Sequence, residues 1–179
     1  MRQVLFILGQ LNDSDVEWLS TVGERQKIAP GTELIREGSD LDTVYLILDG
    51  QMSVWSGGRI KLGTRASGDI LGEMSLVDSS KTAASVKCET ESVVLAISKA
   101  TLSDRLKADI GFAARFYKAL ALFLADRMRN MIRRLGYGNL QDESAPDDVD
   151  LDQLDVEVLD NVHLAGARFE RILRKLARS

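Results

Sequence analysis

The 179 residues give one full domain, or one domain with an appendage, and enough chain to bury a core without staples. A single cysteine, Cys88, and a single histidine, His163, exclude a disulfide framework, multi-cysteine metal sites and nearly every histidine-based catalytic arrangement. Residues 1–135 carry 18 Lys+Arg against 17 Asp+Glu, and residues 136–179 carry 5 against 10. The net charge of −4 therefore comes from the last quarter, and this acidity argues against generic nucleic-acid binding.

The chain opens on an apolar stretch, Val4 to Leu8, too short for a membrane span and with no small-residue cleavage site after it. The expected address is the cytoplasm. Ser14-Asp15-Val16-Glu17 fits a capping box and predicts a short helix through Trp18 and Leu19. From residue 24 the grammar changes. Pro30-Gly31, Asp49-Gly50, Gly57-Gly58 and Ser67-Gly68 punctuate short apolar or alternating runs: TELIRE, TVYLIL, QMSVW, RIKLG, ASVKC and SVVLAIS. Short strands at this spacing predict a sandwich, roll or barrel over about 24–98, with hairpin turns at Asp49-Gly50 and Gly57-Gly58. Cys88 falls on one of these strands, as a small buried residue.

After Ser98 the period turns helical. KATLSDRLK reads as a short helix near 99–107, and residues 109–135 as one long one. Its stripe of Ala113, Phe116, Leu120, Leu124, Met128, Met131 and Leu135 steps by 3 or 4 throughout, and Gly136 stands where a glycine would end it. Such a stripe can pack on its own domain or face a second copy. Nine acidic residues and no basic one lie between Asp142 and Asp160, which reads as a solvated linker over 136–158. Leu159, Val162, Gly166, Phe169, Leu173 and Leu176 then predict an amphipathic terminal helix over 159–179, with Arg168, Arg171, Arg174, Lys175 and Arg178 on its other face. His163 reads as a packing or surface residue of that helix.

One segment stands apart, SGDILGEMSLVDSSKTAASV over residues 67–86. Gly72 lets a backbone approach a ligand, Glu73 can accept from a hydroxyl pair, and Met74 and Ser75 can begin a turn whose free N–H groups face an anion. On spacing alone the same residues also fit an ordinary β-turn with an exposed glutamate. The order of elements adds to this. PGTELIREGSDLDTVYLILDGQMSVW, GDILGEMSL and AASV, followed by a strand and a long helix, resemble the opening strands, phosphate-binding cassette and close of the cyclic nucleotide-binding domain. That family includes bacterial catabolite-activator-type regulators, kinase regulatory subunits and gated channels.

The resemblance covers residues of about 5–135 and implies a mainly β, α+β fold. Its core is a double-stranded β-helix or jelly-roll-like β-roll of eight or so strands flanked by helices, with 1–135 as the domain. It places the pocket glutamate on Glu73, holding a ribose hydroxyl. The cassette amides fall on Gly72, Met74 and Ser75, with Leu71 before them and Lys81, Thr82 and Ala83 closing the site. Arg127 and Met131 of the long helix would lie near its mouth, Asn130 between them. Cyclic AMP or cyclic GMP is the ligand class implied, with no metal.

One residue departs from the pattern. The family places an arginine just before its small-residue run, and here that position falls on Thr82, with Lys81 one place earlier. A neutral hydroxyl cannot grip two phosphate oxygens as a guanidinium does. Lys81 could stand in only if its side chain turns inward, and adjacent residues of a strand point to opposite faces. Weak binding of ordinary cyclic nucleotides is the expectation. The family's polar base-reading pair is also not evident on the long helix.

The leading reading is a non-enzymatic regulatory module that relays a small anionic ligand through the long helix, as a homodimer through that helix, with a protein partner at the terminal helix. The alternative is a degenerate fold acting as a ligand-independent dimerisation or interaction scaffold. A DNA-binding regulator ranks lower, because 44 residues follow the long helix in this sequence and an acidic linker takes the first half of them. No nucleophile–base pair or carboxylate constellation points to an enzyme.

Overall fold

The computed structural model describes residues 4–78, 80–136 and 156–176. Residues 137–155, most of the acidic segment, lie outside them, and the terminal helix begins at Val156, three residues before the expected 159. Two helices come first, α1 (Val4–Gln10) and α2 (Asp13–Val22). The stretch Val4–Leu8, read above only as too short for a membrane span, is thus part of a helix. The cap of α2 also differs from the expected one. Asn12 accepts the Asp15 N–H at 2.9 Å and Asp15 accepts the Asn12 N–H at 3.0 Å, so the box is N-x-x-D two residues earlier than Ser14. Asparagine is as good a cap as serine, and choosing it leaves Asp15 facing inward.

Eight strands follow: β1 (Glu24–Ile28), β2 (Glu33–Ile35), β3 (Thr43–Asp49), β4 (Gln51–Ser56), β5 (Ile60–Ala66), β6 (Ile70–Leu71), β7 (Ser85–Cys88) and β8 (Ser92–Ser98). They form two four-stranded antiparallel sheets, ordered β1-β8-β3-β6 and β2-β7-β4-β5. Between β6 and β7 lies a single helical turn, α3 (Met74–Val77). The hairpin turn at Gly57-Gly58 holds both residues at positive φ, which is what a two-residue loop between twisted strands requires. Among the paired strands β4 and β5 alone are consecutive, and the other pairs join strands distant in the chain. Asp49-Gly50, expected as a hairpin turn, instead carries the chain from β3 in one sheet to β4 in the other. The two facing sheets make a mainly β roll flanked by helices. The expected fold class is the observed one.

The roll has two apolar cores. Inside it, Ile35, Ile47, Met52, Val54, Leu71, Val86, Cys88 and Val94 meet between the sheets. Burial pushes the Cys88 thiol up, away from thiolate chemistry. On the outer face of the first sheet, Leu46, Leu48, Leu95 and Ile97 meet the helices, including α4 (Lys99–Ala108) and α5 (Ile110–Gly136). The α5 stripe is split. Phe112, Phe116, Ala119, Leu120 and Phe123 are buried and Leu124 is half-buried, but Met128 and Ile132 are 64% and 61% exposed. Its first half therefore covers the roll and its second half projects past it.

The terminal helix α6 (Val156–Leu176) does not run along α5. It packs on α1 and α2, burying Ala165, Phe169, Ile172 and Leu176. Leu173 and Gly166, expected on the buried stripe, are exposed, and Leu159 and Val162 have side chains outside the described residues. Charge sets this choice of partner. Arg168 donates to Asp13 at 2.9 Å and to the Leu8 carbonyl, one of the unsatisfied oxygens at the end of α1, at 2.8 Å. Lys175 reaches the Thr21 hydroxyl at 2.8 Å. The basic face of α6 thus meets the acidic start and far end of α2.

A second charged knot ties α2 to the long helix. The Asp15 carboxylate is fully buried and accepts from Arg115 at 2.7 and 3.0 Å and from Arg105 at 3.3 Å. The Arg105 guanidinium lies over Trp18 and Phe112, 4.6 and 4.7 Å from the ring centres. Burial alone would raise the Asp15 carboxyl, but the arginines and the Asn12 N–H outweigh it and hold it below the usual carboxylate range. A depressed carboxyl contributes stability above its unfolded pKa and loses it as pH falls through the folded one. Asp15→Asn should therefore cost about 2 kcal/mol at neutral pH, because it removes the buried carboxylate that two half-buried guanidiniums share, with Asp109 left as the other partner of Arg105. Chemical denaturation should show that deficit shrinking below pH 4.

Candidate functional site

The segment 67–78 turns from β6 into α3 through Gly72, whose φ is +82°. A side chain there would meet the Thr43 carbonyl at 2.9 Å and Leu41 Cδ2 at 2.7 Å, so only glycine lets this turn lie on β3. Glu73 follows as the residue before the helical turn. Its side chain makes no capping bond. It is 4% exposed and accepts from Arg127 Nη1 of α5 at 2.6 Å. Arg127 is steadied from below by the Phe123 ring, 5.7 Å away. A carboxylate removed from water needs a cation, and here the long helix supplies it.

Ser75 is buried and donates to the Gly72 carbonyl at 3.1 Å, which fixes the first turn of α3. Its oxygen accepts from Lys99 Nζ at 2.6 Å. Burial lowers the Lys99 ammonium, against the opposing pull of Asp42, Asp78 and Asp40. Leu71 belongs to the inner core, while Met74 is exposed.

Thr82 faces a different task from the one its position implies. Its hydroxyl donates to the Arg36 carbonyl and accepts the Ser39 N–H at 3.1 Å. Backbone bonds Gly38 N to Thr82 O (2.8 Å) and Thr82 N to Ser39 O (3.0 Å) complete the stitch. Lys81 and Ala83 are exposed. The structure thus gathers Leu71, Gly72, Glu73, Ser75 and Arg127, and turns Thr82 toward the 36–39 loop. The side chains of Asn130, Met131 and His163 lie outside the described residues.

Two residues not singled out from the sequence belong in this description. Lys99 ties the start of α4 to the cassette turn. Arg65 of β5 is 8% exposed, inside the sheet system, although it stands in a run where Ile60 and Leu62 look like the inward residues. Those two are 65% and 49% exposed. A register shift between Val54 and Trp55 breaks the simple alternation, and no pattern in the run marks it beforehand. Among the described residues no three His, Cys, Asp or Glu side chains gather as a metal site, and no helix is long and apolar enough to cross a membrane.

Comparison with known proteins adds to this geometry. A family model described as the cyclic nucleotide-binding domain matches residues 25–109. The chain is similar to a cyclic nucleotide-binding domain from Methylobacillus flagellatus, with a TM-score of 0.69 and 22% identity over 77% of this chain and 83% of that one. It is also similar to the catabolite activator protein of Thermus thermophilus, with a TM-score of 0.57 and 19% identity over 94% and 84% of the two chains. An uncharacterized NTE family protein of Mycobacterium tuberculosis is 27% identical over 119 residues, 66% of this chain and 20% of that protein. The chain spans about a fifth of the length of the curated relatives it matches.

The Thr82 stitch has a direct consequence. Thr82→Val keeps the shape and removes one donor–acceptor hydroxyl, so unfolding free energy should fall by about 1 kcal/mol. Affinity for any pocket ligand should move less than twofold in the same variant, measured by calorimetry.

Proposed function

We propose that this chain, whose residues 25–109 match the cyclic nucleotide-binding domain model, is a non-enzymatic regulatory module that takes a cyclic nucleotide or related small anion at the Gly72–Ser75 turn and passes its occupancy to α5. One observation carries the reading. The buried carboxylate at the cassette, Glu73, has its counter-ion on the long helix, Arg127, at 2.6 Å. A ligand hydroxyl that bonds Glu73 enters the same hydrogen-bond system as Arg127. Any shift of that pair is then felt along a rigid 27-residue rod.

Affinity should be modest. With threonine at position 82, one charged hydrogen-bonding pair is missing, worth roughly one to two powers of ten. A second reading, a ligand-independent scaffold on the same fold, is favoured by the fact that Arg127 already satisfies Glu73 and that the Thr82 hydroxyl is spent on the 36–39 loop. Calorimetric titration with cyclic AMP, cyclic GMP and cyclic dinucleotides separates the two. Binding at about micromolar or weaker affinity, lost at least tenfold in Glu73→Gln, supports the module. Absence of heat with every ligand supports the scaffold.

Either reading uses the exposed face of α5 for assembly. Tyr117, Met128 and Ile132 are exposed, at spacings of 11 and 4 that place them on one helix face, with half-buried Leu124 between. A two-fold pairing of such faces is self-complementary. Because α6 uses its own apolar stripe on α1 and α2, the α5 face is left for a second copy, and a protein partner would meet the outer side of α6. Light scattering should give a dimer mass, and Met128→Glu should shift it toward monomer. A wild-type monomer would contradict the assembly.

A further inference from the structure

Three carboxylates and one ammonium lie beside the cassette turn. Leu41 packs against Gly72, its Cδ2 2.7 Å from where a side chain on that glycine would begin, and Asp40 and Asp42 flank it in the chain. Asp78 closes the far end of α3. Lys99 answers all three. Its backbone N–H donates to the Asp42 carbonyl at 2.9 Å, and its Nζ donates to Ser75 Oγ at 2.6 Å. Ser75 Oγ in turn donates to the Gly72 carbonyl at 3.1 Å, so one hydroxyl separates the ammonium from the turn that carries Glu73. Burial works against the charge on Lys99, while Asp42, Asp78 and Asp40 work for it, so each carboxylate is within electrostatic reach of the ammonium. The Glu73–Arg127 pair carries no net charge. On this side of the turn, the field that an anion meets is then set by Lys99 against Asp40, Asp42 and Asp78.

A lysine is locally unfavourable at this position. It follows the N-cap Ser98 as the first residue of α4, the end of a helix that disfavours a cation. It is also half-buried, which costs an ammonium part of its hydration. Residues that break a local rule in this way gather at sites of function. We infer that Lys99 is a specificity-determining residue that makes an acidic turn receptive to an anion, held at Ser75 so that it offsets the carboxylates of Asp40, Asp42 and Asp78. Position 82 supplies no such charge, because its neutral hydroxyl is bonded to the 36–39 loop. Without Lys99 the three carboxylates would act on an anionic ligand unopposed, whereas a neutral ligand of the same shape is indifferent to them. The ligand class is then a hydroxyl-bearing anion in preference to its uncharged counterpart. This rests on the pocket reading proposed above.

The test uses the full chain and two probes that share base and ribose, cyclic AMP, which is anionic, and adenosine, which is neutral. Both are titrated by ligand-observed NMR into wild type, Lys99→Met, Lys99→Arg and Asp78→Asn, with thermal melts to confirm folding. At about 10 mM salt, cyclic AMP affinity should fall about three- to tenfold in Lys99→Met and stay within about twofold of wild type in Lys99→Arg. Adenosine affinity should move less than about twofold in every variant. The Lys99→Met deficit should shrink at about 0.15 M salt, where the screening length drops from about 30 to about 8 Å. Asp78→Asn should tighten cyclic AMP about twofold. An asparagine oxygen can still accept the Ser80 N–H that Asp78 accepts at 2.9 Å, so the turn keeps its shape. Equal cyclic AMP binding by wild type and Lys99→Met would overturn the role of Lys99 and leave the pocket standing. A parallel loss of both probes that salt does not relieve would make the lysine a brace for the turn and overturn it too. Should Lys99→Met not fold, Asp78→Asn decides: it must favour cyclic AMP over adenosine. Should adenosine bind too weakly to measure, the salt dependence of the cyclic AMP deficit decides in its place. No binding of cyclic AMP by wild type would end the pocket reading and this inference together.

Discussion

The Glu73–Arg127 pair is the constraint on which the rest of the arrangement turns. A carboxylate 4% exposed at the end of a tight glycine turn is costly unless a cation meets it. That cation comes from α5, 54 residues later in the chain. The geometry of the turn therefore depends on the placement of the helix, and the placement of the helix on the turn. Gly72 sits at φ +82° against β3, so the turn cannot move away from the roll to relieve the pair. The adjustable partner is the helix, whose distal half projects beyond the apolar contacts that hold its first half.

That first half is held firmly. Phe112, Phe116, Leu120 and Phe123 are buried, and Arg115 is locked to the fully buried Asp15 of α2. The N-terminal helices are held in turn by α6, through Phe169, Ile172 and the Arg168 bond to the end of α1. The molecule thus has a clamped base, made of α1, α2, α6 and the start of α5, and a lever beyond Phe123. Arg127 stands one turn into the lever. A two-state response needs a rigid part, a movable part and a ligand-sensitive contact between them, and the proposed function assigns these to the clamped base, the distal half of α5 and the Glu73–Arg127 pair.

Much of the roll was legible in the sequence because its signals are local. Turn glycines at 50, 57 and 58 and short alternating runs mark strands, and the GDILGEMSL segment marks the cassette turn with Glu73 at its apex. The helix breaks were legible too, since periodicity changes at Ser98. What was not legible depends on contacts distant in the chain. Thr82 looked like an empty place in a binding site, whereas its hydroxyl has work on a loop 43 residues earlier. Arg65 was not singled out, because alternation cannot register the bulge in the β4–β5 ladder. The seat of α6 on α1 and α2 was not legible, because its arginines answer the carboxylate of Asp13 and the open carbonyls of α1, neither of which hydrophobic spacing reports.

The claim that occupancy of the cassette reaches α5 through Arg127 can be measured by hydrogen exchange of the α5 amides, with and without saturating cyclic nucleotide. Wild type and Arg127→Met are compared, each at a ligand concentration that saturates it. The account predicts that the ligand changes protection in the wild-type helix from Phe123 onward. It also predicts that the change is absent in Arg127→Met, although the Gly72–Ser75 amides still respond. The same change along α5 in both proteins would contradict it.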